Sequence, residues 1–185
     1  MSYTKKKMIA NLTKDLVAEN GLDAVSITKI MSSANMRRQT FYDYFLDKYD
    51  LLAWLYQDEI SEIVSDNLNY EKWVNIVDYL CAYFFNNRKF YKIVLTDSGQ
   101  NSLDNIIEQQ LEEFILTIID DLKIKNKLRT KAATITFYTS LLANSLLAEI
   151  KNWITVENTR TIGDESRLIK MYIEDVINGL LLKVG

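Results

Sequence analysis

No proline interrupts the 185 residues of this chain, and only five are glycine. Proline deletes a backbone donor and clashes with the preceding helical turn, and glycine is a common helix stop, so a sequence with so little of either leaves helices free to run. Apolar residues recur at the matching spacing. Leu103, Ile106, Ile107, Leu111, Phe114, Ile115, Ile118 and Leu122 make the clearest stripe, in steps that gather them on one helix face. The expected fold class is all-α. Helices are expected over Tyr3–Asn20, from Ser26, from Arg37, and over Asp47–Asn69, Tyr70–Phe85, Arg88–Thr96, Leu103–Leu122, Lys127–Ile154 and Asp164–Val184, about nine in all. Asp97–Ser102 and Thr155–Gly163 read as loops. With 48% hydrophobic residues, a chain of this length can bury a sizeable core.

One stretch carries a function. Ser26 to Lys48, SITKIMSSANMRRQTFYDYFLDK, reads as a helix, a tight turn and a second helix. Ile27, Ile30, Met31 and Ala34 share one face of the first helix, and Ser26 is placed to cap it. Asn35 tolerates the left-handed conformation that a sharp reversal needs. In the second helix Phe41 and Phe45 point inward, leaving Gln39, Thr40, Tyr42 and Asp43 on the outer arc behind Arg37 and Arg38. A helix-turn-helix presents its second helix to the DNA major groove in this way. Arginine matches the acceptors of guanine, glutamine those of adenine, and threonine offers a hydroxyl and a methyl. The alternative from the pattern is a solvated amphipathic hairpin, a helical interaction module that does not bind DNA.

Charge is distributed in keeping with the first reading. Residues 1–50 hold eight Lys/Arg against six Asp/Glu and the remainder fourteen against nineteen, so a head at +2 sits on a body at −5 although the whole chain is −3. Lys5, Lys6 and Lys7 form a basic run at the start of the first helix, where backbone phosphates come within reach. Asp47 is expected to cap the fourth helix. Lys48 in its first turn, together with that helix N-terminus, is expected to hold a DNA phosphate.

Residues Ala34 to Leu52, ANMRRQTFYDYFLDKYDLL, resemble the signature of the TetR family of bacterial transcriptional regulators, with Thr40, Phe41, Tyr42 and Phe45 as its core and Lys48 as the lysine that follows. Asn35 stands where the family commonly has glycine, Arg37-Arg38-Gln39 replaces a Ser-Lys-Gly type of sequence, and Tyr44 replaces a frequent histidine. The resemblance implies a DNA-binding head over residues 1–48 and a regulatory and dimerisation body over residues 49–185. It implies DNA contacts from Lys5, Lys6, Lys7, Thr28, Lys29, Arg37, Arg38, Gln39, Thr40, Tyr42, Tyr44 and Lys48, and a homodimer on a palindromic double-stranded operator. The last two helices would form the dimer interface, through Leu142, Leu146, Ile150, Leu168, Tyr172, Ile173, Val176 and Leu180; they are apolar on more than one face and need two partners. The segment Asn87-Arg88-Lys89-Phe90-Tyr91 resembles a subgroup related to activators of dihydroxyacetone kinase operons. That implies a signal delivered by a dihydroxyacetone kinase-like coactivator protein. The alternative is a repressor released by an apolar inducer bound among body aromatics such as Trp73, Tyr79, Phe84, Phe137 and Trp153, although a place in the core is the stronger expectation for most of them.

Enzymatic chemistry has little to work with. The chain has no histidine and a single cysteine, Cys81, so the usual general base, the commonest metal ligand and any thiolate cluster are missing. Glu112-Glu113 and Asp120-Asp121 are adjacent in sequence and point apart. No catalytic residue, metal or cofactor is expected. No apolar run approaches the roughly 20 residues of a membrane span, and no secretory segment follows Lys5–Lys7, so a soluble, cytoplasmic protein is expected.

Overall fold

A computed structural model describes residues 2–64, 73–96, 103–126, 131–156 and 160–182, and every regular element among them is helical. The elements are α1 (Ser2–Asn20), α2 (Ile27–Ser33), a 3-10 helix (Arg38–Asp43), α3 (Lys48–Val64), α4 (Trp73–Asn86), α5 (Arg88–Val94), α6 (Leu103–Asn126), α7 (Ala132–Thr155) and α8 (Ile162–Leu182). The expected loop Asp97–Ser102, the far end of the helix expected to reach Asn69 and the starts expected at Tyr70 and Lys127 lie outside the described residues.

The helix ends have local causes. Gly21 takes a φ of 82° and its N–H donates to the Val17 carbonyl at 2.9 Å, closing α1 with a left-handed cap. Ser26 caps α2 by accepting from the Lys29 N–H at 3.2 Å. Asp47 caps α3, its Oδ1 accepting from the amides of Tyr49 and Asp50, each at 2.8 Å.

The chain divides into two compact units, Met1–Ser61 with Asn87–Leu103, and Glu62–Asn86 with Asp104–Gly185. In the first, α1 packs on α2 and α5. Ile9, Val17, Ile30, Met31, Phe41, Leu51, Leu55, Tyr56 and Tyr91 are buried in it. Lys14 and Glu59 pair at 2.7 Å, and the rings of Tyr56 and Tyr91 meet edge-on at 6.5 Å. Burial pushes the Tyr56 phenol well above its ordinary value.

In the second unit α4 packs on α8 and α7, with Trp73, Ile76, Phe84, Ile107, Ile115, Leu146, Trp153 and Ile173 buried. The Trp153 indole donates to the Arg160 carbonyl at 2.9 Å and stacks on Phe85. Arg160 in turn pairs with Glu149 and, at 2.6 Å, with the buried carboxylate of Glu165. On the neighbouring turn Ser166 and Lys170 both donate to Asp78. Burial pushes the Cys81 thiol up to about 12, so it serves as a small apolar side chain.

Five of the eight residues expected at the dimer interface face the subunit's own core. Leu142, Leu146, Ile150, Ile173 and Leu180 are buried within the subunit, where their own neighbours already remove them from water. Leu168 and Tyr172 are exposed and Val176 half-buried. The large apolar side chains left on the outside of α7 and α8 include Phe137 at 63% exposure, Leu141 at 56% and Met171 at 49%. Tyr172 is tied there by a hydrogen bond to Ser145 at 3.1 Å.

Candidate nucleic-acid interface

The end of α2 is a Schellman turn. The Met36 N–H donates to the Met31 carbonyl at 2.9 Å and the Asn35 N–H to the Ser32 carbonyl at 3.1 Å, while Asn35 takes a φ of 53°. Arg37 leaves this turn in extended conformation, and residues 38–43 then wind as a 3-10 helix where an α-helix was expected. At three residues per turn, side chains three apart line up along the axis. Gln39 and Tyr42 therefore share one exposed row, while Phe41 is buried and meets Phe45 at 5.6 Å. Arg38 donates to the Tyr42 hydroxyl at 3.1 Å, its guanidinium 5.7 Å from that ring centre. Arg37, Arg38, Gln39 and Tyr42 thus reach solvent from one short segment, whereas Thr40 and Tyr44 are half-buried. Thr28 is exposed on α2 and Lys29 half-buried.

The remaining lysines are placed differently from one another. Lys5 is exposed. Lys6 lies over the rings of Phe45 at 4.9 Å and Trp54 at 4.6 Å. Lys7 pairs with Asp58 at 3.3 Å and donates to Tyr3. Lys48 donates to the Leu22 carbonyl at 3.0 Å. The α3 donors with which it was expected to hold a phosphate are engaged by Asp47. Two features of this surface were not read from the sequence. Asp50 accepts from the Leu46 N–H at 2.9 Å, completing a double cap that the spacing Asp47-x-x-Asp50 signals. Leu46 itself is 82% exposed beside the recognition segment, an apolar residue between a core phenylalanine and a cap.

Residues 9–55 match the description "Bacterial regulatory proteins, tetR family", and residues 71–175 match "Transcriptional regulator C-terminal region". The chain belongs to the tetR family of bacterial regulatory proteins. Like other TetR-family members it is a DNA-binding transcriptional regulator and not an enzyme, and regulators of this family act as dimers. The HTH-type dhaKLM operon transcriptional activator DhaS of Lactococcus lactis is 35% identical over 119 residues, 59% of this chain and 64% of that protein. The matched segment thus spans less than two thirds of that relative. A solved structure of a dihydroxyacetone kinase operon activator DhaS superimposes with a TM-score of 0.72 at 26% identity, covering 99% of this chain and 97% of that one. A Syntrophomonas wolfei protein described as a TetR-family regulator gives 0.73 at 23% identity over 98% of each chain, a likeness of fold. No helix among the described residues is long and apolar enough to cross a membrane.

Proposed function

We propose that this TetR-family regulator activates a dihydroxyacetone kinase operon, binding a palindromic operator as a dimer through residues 1–48. The observation that supports the operon assignment is the 35% identity over 119 residues with the dhaKLM activator of L. lactis. Base readout falls to Arg37, Arg38 and Gln39 with Tyr42, which are exposed on the recognition segment beside the acidic Asp43; arginine suits guanine and glutamine suits adenine. Thr40 and Tyr44 border them, and Lys5, Thr28 and Lys29 are the flanking candidates for backbone contact. The outer apolar residues Phe137, Leu141, Leu168, Met171 and Tyr172 supply the face for the second copy, since exposed apolar patches mark association surfaces.

The signal, in this reading, comes from a dihydroxyacetone kinase-like coactivator protein. Trp73, Phe84 and Trp153, candidates for a ligand cavity, are buried to within 3% of full exclusion from water, which favours a packed core. The test is operator binding, followed by fluorescence anisotropy on DNA upstream of the chain's own gene, and thermal melting. The expected result is selective binding and no melting shift with dihydroxyacetone or apolar inducers, with complex formation by a dihydroxyacetone kinase-like protein encoded nearby. A melting shift with an apolar ligand that also abolishes binding, without a protein complex, overturns the activator reading in favour of an inducer-released repressor.

A further inference from the structure

We propose that Glu149 and Glu165 form a proton-binding carboxyl pair at the corner between α7 and α8, through which the second unit becomes more stable as the medium turns acid. The geometry starts at Arg160. Its Nε donates to Glu165 Oε2 at 2.6 Å and its Nη2 to Glu149 Oε1. Those two donors make up one edge of the guanidinium, an edge that a single carboxylate commonly takes with both oxygens. Here two carboxylates divide it, one bond each, so the fork that holds them also brings them together. The Arg160 backbone is fixed in turn, its carbonyl accepting from the Trp153 indole at 2.9 Å.

Two carboxylates against one guanidinium leave one negative charge unbalanced. The neighbouring cations are engaged elsewhere. Lys170 of α8 donates to Asp78 of α4, as does Ser166, and Lys151 of α7 pairs with Asp104 of α6 at 2.6 Å. The Cys81 thiol of α4, pushed up by burial, is neutral. The two carboxylates are unequally placed. The Glu149 side chain is 37% exposed, whereas that of Glu165 is 1% exposed, and its Oε1 is buried with no hydrogen-bond partner among the described residues. An anionic oxygen held out of water without a donor is costly, and a proton bound there removes the cost. Burial accordingly raises the Glu165 carboxyl above its ordinary value; Arg160 opposes this, and Glu149 adds to it by its charge and by a hydrogen bond between the two carboxyls. The positive end of α8 also favours a carboxylate in its first turn, but it leaves Oε1 without a donor.

A carboxyl raised on folding contributes stability that is fully present below its unfolded value, 4.5 for an ordinary glutamate, and lost as the pH rises through the folded value. Glu165→Gln mimics the protonated form, since its amide accepts from Arg160 and donates to Glu149 without charge. The full-length variant should melt about 2–4 °C above wild type at neutral pH, and the gap should close as the pH falls towards 4.5. An ordinary ion pair between Arg160 and Glu165 makes the opposite prediction, so a variant that melts below wild type at neutral pH overturns the proposal. Titration of glutamate carboxyls labelled with carbon-13, followed by NMR, gives a measurement on the wild-type chain itself. One carboxyl should titrate above 4.5 and move down towards that value in Glu149→Gln, where Arg160 is left to Glu165 alone. Glutamates that all titrate at or below 4.5 overturn the proposal, as does a high titration that Glu149→Gln leaves in place.

Discussion

Asn35 holds the sharpest conformational demand in the head, a φ of 53° at the point where α2 gives way to the recognition segment. The sequence showed this position plainly, because asparagine is one of the few side chains that accepts the left-handed region. Asn35→Gly should melt within a few degrees of the wild type, while Asn35→Val should lose about 1–2 kcal/mol in denaturant titration; equal stability of the two would contradict the turn assignment. Gln39 is exposed in the row shared with Tyr42, so Gln39→Ala should relax discrimination at one base pair by about 1–3 kcal/mol and leave the others alone, measured over single-substitution operators. Asp78 carries a pH-dependent contribution. Burial raises its carboxyl, but hydrogen bonds from Lys170 and Ser166 and the ammonium's charge outweigh that and hold it below its ordinary value. Its stabilisation is therefore present above the unfolded carboxylate value of 3.8 and lost as the pH falls through the lower folded value, so the melting gap between wild type and Asp78→Asn should be full at neutral pH and narrow as the pH falls through and below the ordinary carboxylate range. The lysines were less legible than these residues. Lys6 over two rings, Lys7 on Asp58 and Lys48 on a carbonyl all depend on partners distant in sequence, which a run of charge does not reveal.

The helices were readable from spacing, and their caps from single residues such as Ser26 and Asp47. The Asp47 cap should be worth about 1 kcal/mol, so Asp47→Ala is expected to lower stability by that amount and loosen operator preference with it. The recognition segment came out tighter than its sequence suggested, because Phe41 and Phe45 satisfy a helical repeat on paper while only Arg38–Asp43 winds, as a 3-10 turn, before the α3 cap intervenes. In α7 the difficulty was of another kind. Leu141 and Leu142 are neighbours about 100° apart on the helix, one exposed and one buried. An α-helix with apolar residues around most of its circumference does not state which stripe its own subunit will take, so Leu142, Leu146 and Ile150 could not be told from the outer residues by spacing.

Across the whole chain, the all-α class followed from the missing prolines and the period of the apolar residues. The grouping of Asn87–Leu103 with the first sixty-one residues did not, because it depends on α5 packing against α1, a long-range contact without a local signal. The same distinction between outer and inner stripes separates two predictions about assembly. Leu141→Glu or Tyr172→Glu should give a folded monomer by sedimentation, since each puts a charge on the outer face. Ile173→Glu, with its side chain 1% exposed inside the subunit, should instead unfold the second unit, because an unpaired buried carboxylate costs several kcal/mol, about 3–5 by the measure of broken buried pairs. The central claim is that a dimer reads a specific sequence through the segment from Arg37 to Tyr42. Its most direct test is anisotropy of the dimeric protein on DNA from upstream of its own gene and on a scrambled duplex, at several salt concentrations, beside the Arg38→Ala and Gln39→Ala variants. The account predicts tighter binding to the upstream DNA, with that preference reduced in both variants while the salt slope stays close to wild type for Gln39→Ala. A folded dimer that binds both duplexes equally, or neither, would contradict it.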